Sequence, residues 1–133
     1  MKLIVDQSFS KKERICKSKD FEKIFSCGKK VFFNNFLVYI YERNDEENIT
    51  RLGIIVSKKT QKSAVIRNKF KRRIREIFRK NKVYIKKGVD ILVIGTKISV
   101  KKDFDSLKQN FIEILKKENL WDFNNLNDNK QIK

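Results

Sequence analysis

Histidine is absent from all 133 residues, which removes the commonest general base and the partner of every Ser or Cys triad. Nucleophilic catalysis by the protein itself is poorly supported, and no catalytic residue is expected in it. Cys16 and Cys27, with ten residues between them, match no metal-ligand spacing and read as plain thiols, so no metal site is expected either. No run approaches the roughly 18 consecutive apolar residues that a membrane helix needs. The opening MKLIVDQSFS is too short and too soon acidic for a signal peptide. The expectation is a cytoplasmic protein without a membrane partner. Acid is the other shortage, 16 Asp and Glu against 33 Lys and Arg, for a net charge of +17. Such a chain repels itself, and a polyanion partner is the simplest reason for it to stay so basic. The acids lie singly or in the polar loop Asp45-Glu46-Glu47, so nothing suggests the carboxylate cluster of a protein-only two-metal nuclease.

What is present is concentrated charge. From Ser57 to Arg79 the chain reads SKKTQKSAVIRNKFKRRIREIFR, ten Lys and Arg against one acid, Glu76. At about 100° per residue, Ile66, Phe70, Ile74 and Ile77 fall on one stripe with Phe78 at its edge, and Asn68, Lys71, Arg72, Arg75 and Arg79 gather opposite. The spacing predicts a helix with one core face and one cationic face. Solvated helix faces usually mix signs, whereas here only Glu76, expected to pair with Arg72 or Arg73, offsets its neighbours. Phosphates are the natural ligand, because guanidinium binds them in a fork and stacks on bases as ammonium cannot.

Elsewhere, Phe21, Ile24 and Phe25 predict a first helix over about Lys19 to Cys27, with Ser18 as N-cap and Gly28 as its stop. VFFNNFLVYIY, from Val31 to Tyr41, reads as two short strands or one interrupted strand, with Asn34 and Asn35 as a tight turn or bulge. Arg51 to Ser57 and Val89 to Thr96 read as further strands, the second apolar enough to be buried and central. Gly53 permits close backbone approach. A last helix is expected over about Asp103 to Glu118 on the spacing of Phe104, Leu107, Phe111, Ile114 and Leu115. The order α-β-β-β-α-β-α predicts an α+β two-layer sandwich, a mixed sheet with helices on one face. One domain over 1–118 is expected, with a disordered tail over 119–133. A βαβ crossover should carry the basic helix with its cationic face away from the sheet, right-handed by the usual rule.

Arg51, Gly53, Ser57-Lys58-Lys59, the run Ala64 to Arg72, and Arg75-Glu76 together resemble the signature of the bacterial ribonuclease P protein subunit. Upstream, Arg14, Lys17, Asp20-Phe21, Phe25 and Gly28 fit that family's first helix and Phe36 to Tyr39 its next strand, so the likeness spans roughly residues 11 to 118. It implies a ribosomal protein S5 domain 2-like fold with the rare left-handed crossover. It also implies a small basic protein that joins a large catalytic RNA and helps it remove the 5′ leader of precursor transfer RNA, the RNA and its bound Mg²⁺ carrying the chemistry. Two departures stand out. Lys69 replaces the second arginine of an Arg-Asn-Arg motif, keeping charge without the fork, and the loop Thr60-Gln61-Lys62-Ser63 lacks a glycine often found there.

Carried over residue by residue, the likeness implies that Arg67, Asn68, Lys69, Lys71, Arg72 and Arg75, with Lys58 and Lys59 beside them, contact the catalytic RNA. Phe21, Phe25, Leu37 and Tyr39 match positions lining a leader cleft between the first helix and the sheet. Aromatic rings on an open platform accept any base, while Arg14, Lys17 and Arg51 would hold the backbone. Helical spacing leaves core packing equally open for Phe21 and Phe25; alternation puts Tyr39 opposite Phe36, Val38 and Ile40. The rival is a structural RNA-binding protein of the ribosomal type, which needs the basic helix and not the aromatic platform. A DNA partner is not expected, because the cationic helix lacks a preceding helix and turn.

Overall fold

Asn34 and Asn35 both take positive φ, 50° and 61°, the left-handed pair that a two-residue turn needs to match strand twist. They fold β1 (Lys29–Phe33) back on β2 (Phe36–Glu42), so the interrupted run is a hairpin. The computed structural model describes residues 8–121. Its sheet runs β1-β2-β4-β3, with β3 (Arg51–Ile55) and β4 (Val89–Ile94) parallel and the other pairs antiparallel. The fold is thus α+β with a mixed sheet, and β4 is central, buried from Val89 to Val93.

Alternation along the strands creates two faces. Val31, Phe36, Val38, Ile40, Ile91 and Val93 point one way into the main core. There they meet α2 (Ala64–Asn81) through Phe70, Ile74, Ile77 and Phe78, and α3 (Phe104–Lys117) through Leu107, Phe111, Ile114 and Leu115. Burying each such side chain is worth about 1.5–3 kcal/mol. The stripe read from the sequence of α2 is the stripe that is buried. Ser63 starts that helix by accepting the Ile66 N–H at 3.3 Å, and Asp103 starts α3 by accepting the Ser106 N–H at 2.8 Å.

The expectation of helices on one face holds for α2 and α3 and fails for α1 (Ser18–Cys27), which lies on the opposite face. Leu37, Tyr39 and Tyr41 alternate with the core residues of β2, and this second apolar row needs its own cover. Ile24 supplies it, buried with Ile15 and Leu92. Ser18 is the first helical residue and not the cap; Lys17 holds the cap position with no side-chain hydrogen bond. Gly28 ends the helix where an added Cβ would stand 2.4 Å from the Ile24 carbonyl oxygen, so only glycine fits.

The domain also runs past the expected boundary at 118. Leu120 is buried, and Trp121 bridges to Ile85 and stacks on Tyr84 with ring centres 5.0 Å apart. The rest of the expected tail, 122–133, lies outside the described residues.

Candidate nucleic-acid interface

The cationic face of α2 points away from the sheet. Asn68, Lys69, Arg72 and Arg75 are exposed and Lys71 is half-buried. Glu76 pairs with Arg79 and, at 3.6 Å, with Lys80, rather than with Arg72 or Arg73 as the spacing suggested. Its hydrogen bond with Arg79 holds its carboxyl below the usual range. Arg73 instead donates to the Lys102 carbonyl at 2.7 Å. Arg72 and Arg75 therefore have no acid within ion-pair distance among the described residues. Arg67 differs from its neighbours: its guanidinium donates to the Gln61 and Lys62 carbonyls at 2.7 and 2.9 Å, fastening the loop before the helix. That loop closes without glycine because Ser57 Oγ accepts the Thr60 N–H at 3.0 Å and Gln61 Oε1 accepts the Ser63 N–H at 3.1 Å. Lys58 and Lys59 are exposed at its start.

On the opposite face, α1 and the sheet form an aromatic cleft. Phe25, 44% exposed, meets Tyr39 edge to face with centres 4.9 Å apart. Phe21 lies over Gly53, where an added Cβ would be 3.2 Å from its ring, from Leu92 and from Ile15. The missing side chain lets α1 sit close. Leu37 is half-buried, with Phe32 and Ile94 as its strand partners. Phe32, 61% exposed, shares this face and was not singled out from the sequence. The signal was there: the two-residue turn mirrors β1 on β2, so Phe32 must follow Leu37.

The polar end of the cleft, about 430 Å³, is lined by Asp20, Lys23, Tyr41, Arg43, Arg51 and Asp90 among others. Arg51 Nε and Nη2 donate to Asp90 at 2.8 and 2.7 Å, and Arg43 Nη1 adds a bond at 2.5 Å. The Asp90 hydrogen bonds raise the Arg51 pKa above its ordinary value against the opposing effect of burial. Sequence reading missed Arg43 and Asp90, although one acid inside the buried run VDILVI demands a cationic partner. Lys17 is exposed at the start of α1, its carbonyl accepting from the Asp20 and Phe21 N–H groups. Arg14 falls elsewhere than expected. It shares a groove of about 190 Å³ on the outer edge of β3 with Lys71 and Arg75, its guanidinium 4.7 Å over the Phe9 ring. Among the described residues no helix is long and apolar enough to cross a membrane, and no three His, Cys, Asp or Glu group as a metal site. Both cysteines are free and exposed.

Residues 9–119 match the protein family described as Ribonuclease P. The ribonuclease P protein component of Clostridium botulinum (strain 657 / Type Ba4) is 38% identical over 112 residues, covering 84% of this chain and 98% of that protein. Its counterpart in Thermotoga maritima is 39% identical over 115 residues, covering 84% and 96%. Among solved structures, the RNase P protein of Staphylococcus aureus superposes with a TM-score of 0.73 at 35% identity, over 83% of this chain and 98% of that one. The one from Thermotoga maritima gives 0.68 at 38% identity, over 79% and 96%.

Proposed function

The chain belongs to the ribonuclease P protein family and is a component of that ribonucleoprotein, and on that premise we propose how its two surfaces divide the work. The cationic face of α2, with Asn68, Lys69, Lys71, Arg72 and Arg75, binds phosphates of the catalytic RNA and fixes the protein's position on it. Arg67 serves that face by holding the loop that carries Lys58 and Lys59. The cleft between α1 and the sheet takes the single-stranded 5′ leader of precursor transfer RNA, its bases against Phe21, Phe25, Leu37 and Tyr39. Lys17 and Arg51 flank the path, and Arg14 joins the two surfaces around the edge of β3.

Endonucleolytic removal of the leader is assigned to the RNA with its Mg²⁺, in the cytoplasm. Within the cleft the carboxylates of Asp20 and Asp90 already face arginine, a donor set that suits charge balance better than a dication. What carries this reading is the open Phe25–Tyr39 pair on the face that α2 does not use. A purely structural RNA-binding protein needs only the basic helix.

The test is single-turnover cleavage of a precursor transfer RNA by a bacterial ribonuclease P RNA at low Mg²⁺, with and without the protein, including a substrate whose leader is cut to one nucleotide. Stimulation that fades with the short leader is expected. Tight, salt-sensitive RNA binding without stimulation would instead favour the structural role.

A further inference from the structure

The arginine that flanks the leader path is held in two unequal ways. Asp90, its side chain 2% exposed on the central strand, takes both Nε and Nη2 of Arg51 in a side-on fork that fixes the guanidinium plane. A buried carboxylate on a rigid strand cannot follow a ligand. The remaining Nη1 turns toward the cleft and meets Asp20 Oδ2 at 3.4 Å, long for a charge-assisted bond. Asp20 stands in the first turn of α1, and the two side chains keep 19% and 21% exposure, so an anion in the cleft can reach the pair. Lys23 lines the same cleft, with Nζ 6.0 Å over the Tyr41 ring and no acid within ion-pair distance among the described residues.

We propose that Asp20 is a built-in competitor for a leader phosphate. A phosphate oxygen of the single-stranded RNA displaces Asp20 Oδ2 from Nη1 of Arg51, while Asp90 keeps the guanidinium in place and Lys23 supplies the second cation. Carboxylate and phosphate oxygens offer Nη1 the same kind of acceptor, so the exchange conserves hydrogen bonds at Arg51 and gains little by itself. Stray phosphate is therefore not favoured at this position, whereas a strand whose bases also lie on Phe25 and Tyr39 is. Asp20 acts as a specificity-determining residue that limits how tightly the leader is held. The inference rests on the leader reading above.

The experiment measures binding of precursor transfer RNA, with a long leader and with a one-nucleotide leader, to holoenzyme reconstituted with a bacterial ribonuclease P RNA. The proteins are the unmodified chain, Asp20→Asn, Asp20→Glu and Glu22→Gln, the last making the same charge change at an exposed position of α1. Asp20→Asn is expected to tighten the long-leader complex about two- to fivefold and leave the one-nucleotide complex unchanged, the size set by a partly exposed ion pair. Asp20→Glu, which keeps the competing carboxylate, should not show that gain, and Glu22→Gln should match the unmodified protein. If Asp20→Asn binds equally or more weakly while leader length still matters, the acid only ties α1 to the sheet and the proposal is overturned. A gain as large from Glu22→Gln overturns it as bulk charge. An unmodified protein indifferent to leader length overturns the leader reading and this proposal together.

Discussion

Phe25 presents a ring that its fold barely needs. With 44% of its surface exposed and one edge-to-face neighbour, its truncation removes little buried area, so Phe25→Ala should cost about 1 kcal/mol or less in stability. A base stacked on an aromatic ring is worth about 1–3 kcal/mol, so the same variant should weaken long-leader binding by roughly five- to 150-fold. The one-nucleotide substrate should be unaffected. Thermal melts and equilibrium titration separate the two, and a large melting loss with intact leader binding would make Phe25 a core residue.

Glu13 shows the opposite balance. Burial disfavours its carboxylate, but hydrogen bonds from Lys82, at 2.7 Å, and from Ser10 outweigh that and hold its pKa below the ordinary 4.5. A lowered folded pKa gives stability that is present above the ordinary value and is lost as pH falls through the lowered one. Glu13→Gln should therefore melt below the parent at pH 7, and the gap should narrow in acid, below the ordinary carboxylate value, as the lowered group takes up its proton. Equal gaps at pH 7 and in acid would show that the pair contributes through packing alone.

Among the elements, the β1–β2 hairpin depends on a turn whose two residues both sit at positive φ. Asn tolerates that geometry, Gly prefers it and a β-branched residue resists it. Asn35→Gly should be neutral or slightly stabilising, while Asn35→Val should cost about 1–2 kcal/mol by denaturant titration. This turn was legible because its signal is local, as were the stripe of α2 and the apolar run of β4. The placement of α1 was not. Phe21, Ile24 and Phe25 announce an apolar helix face, but which side of the sheet receives it depends on the row Leu37, Tyr39 and Tyr41 being left uncovered, a fact of tertiary arrangement. Glu76 had basic neighbours on both sides, and the choice of Arg79 and Lys80 follows from Arg73 turning to a carbonyl 29 residues away. The pairing of Arg43 and Arg51 with Asp90 spans 47 and 39 residues, beyond any local pattern. Leu120 and Trp121 were lost in a polar tail because their partners belong to a distant segment: Tyr84 and Ile85 meet Trp121, and the Lys86 N–H donates to the Leu120 carbonyl.

At the scale of the whole molecule, the basic helix and the aromatic cleft occupy opposite faces of one sheet, with Arg14, Lys71 and Arg75 sharing the groove along its edge. The two faces should answer differently to salt. Phosphate contacts release counterions, so each one lost lowers the slope of log affinity against log salt by about 0.7–0.9. Stacking on rings releases few. Replacing both Arg72 and Arg75 with Ala removes two exposed, acid-free cations without touching the core stripe, so affinity for the catalytic RNA should fall and the salt slope should drop by about 1–2. The extra affinity given by a long leader over a one-nucleotide leader should stay as it was. Phe25→Ala should do the reverse, shrinking the leader increment at an unchanged slope. Titrations of both variants across a series of KCl concentrations decide the matter: if either variant moves both quantities together, the sheet does not keep the two surfaces separate, and RNA and leader share one binding surface around the edge of β3.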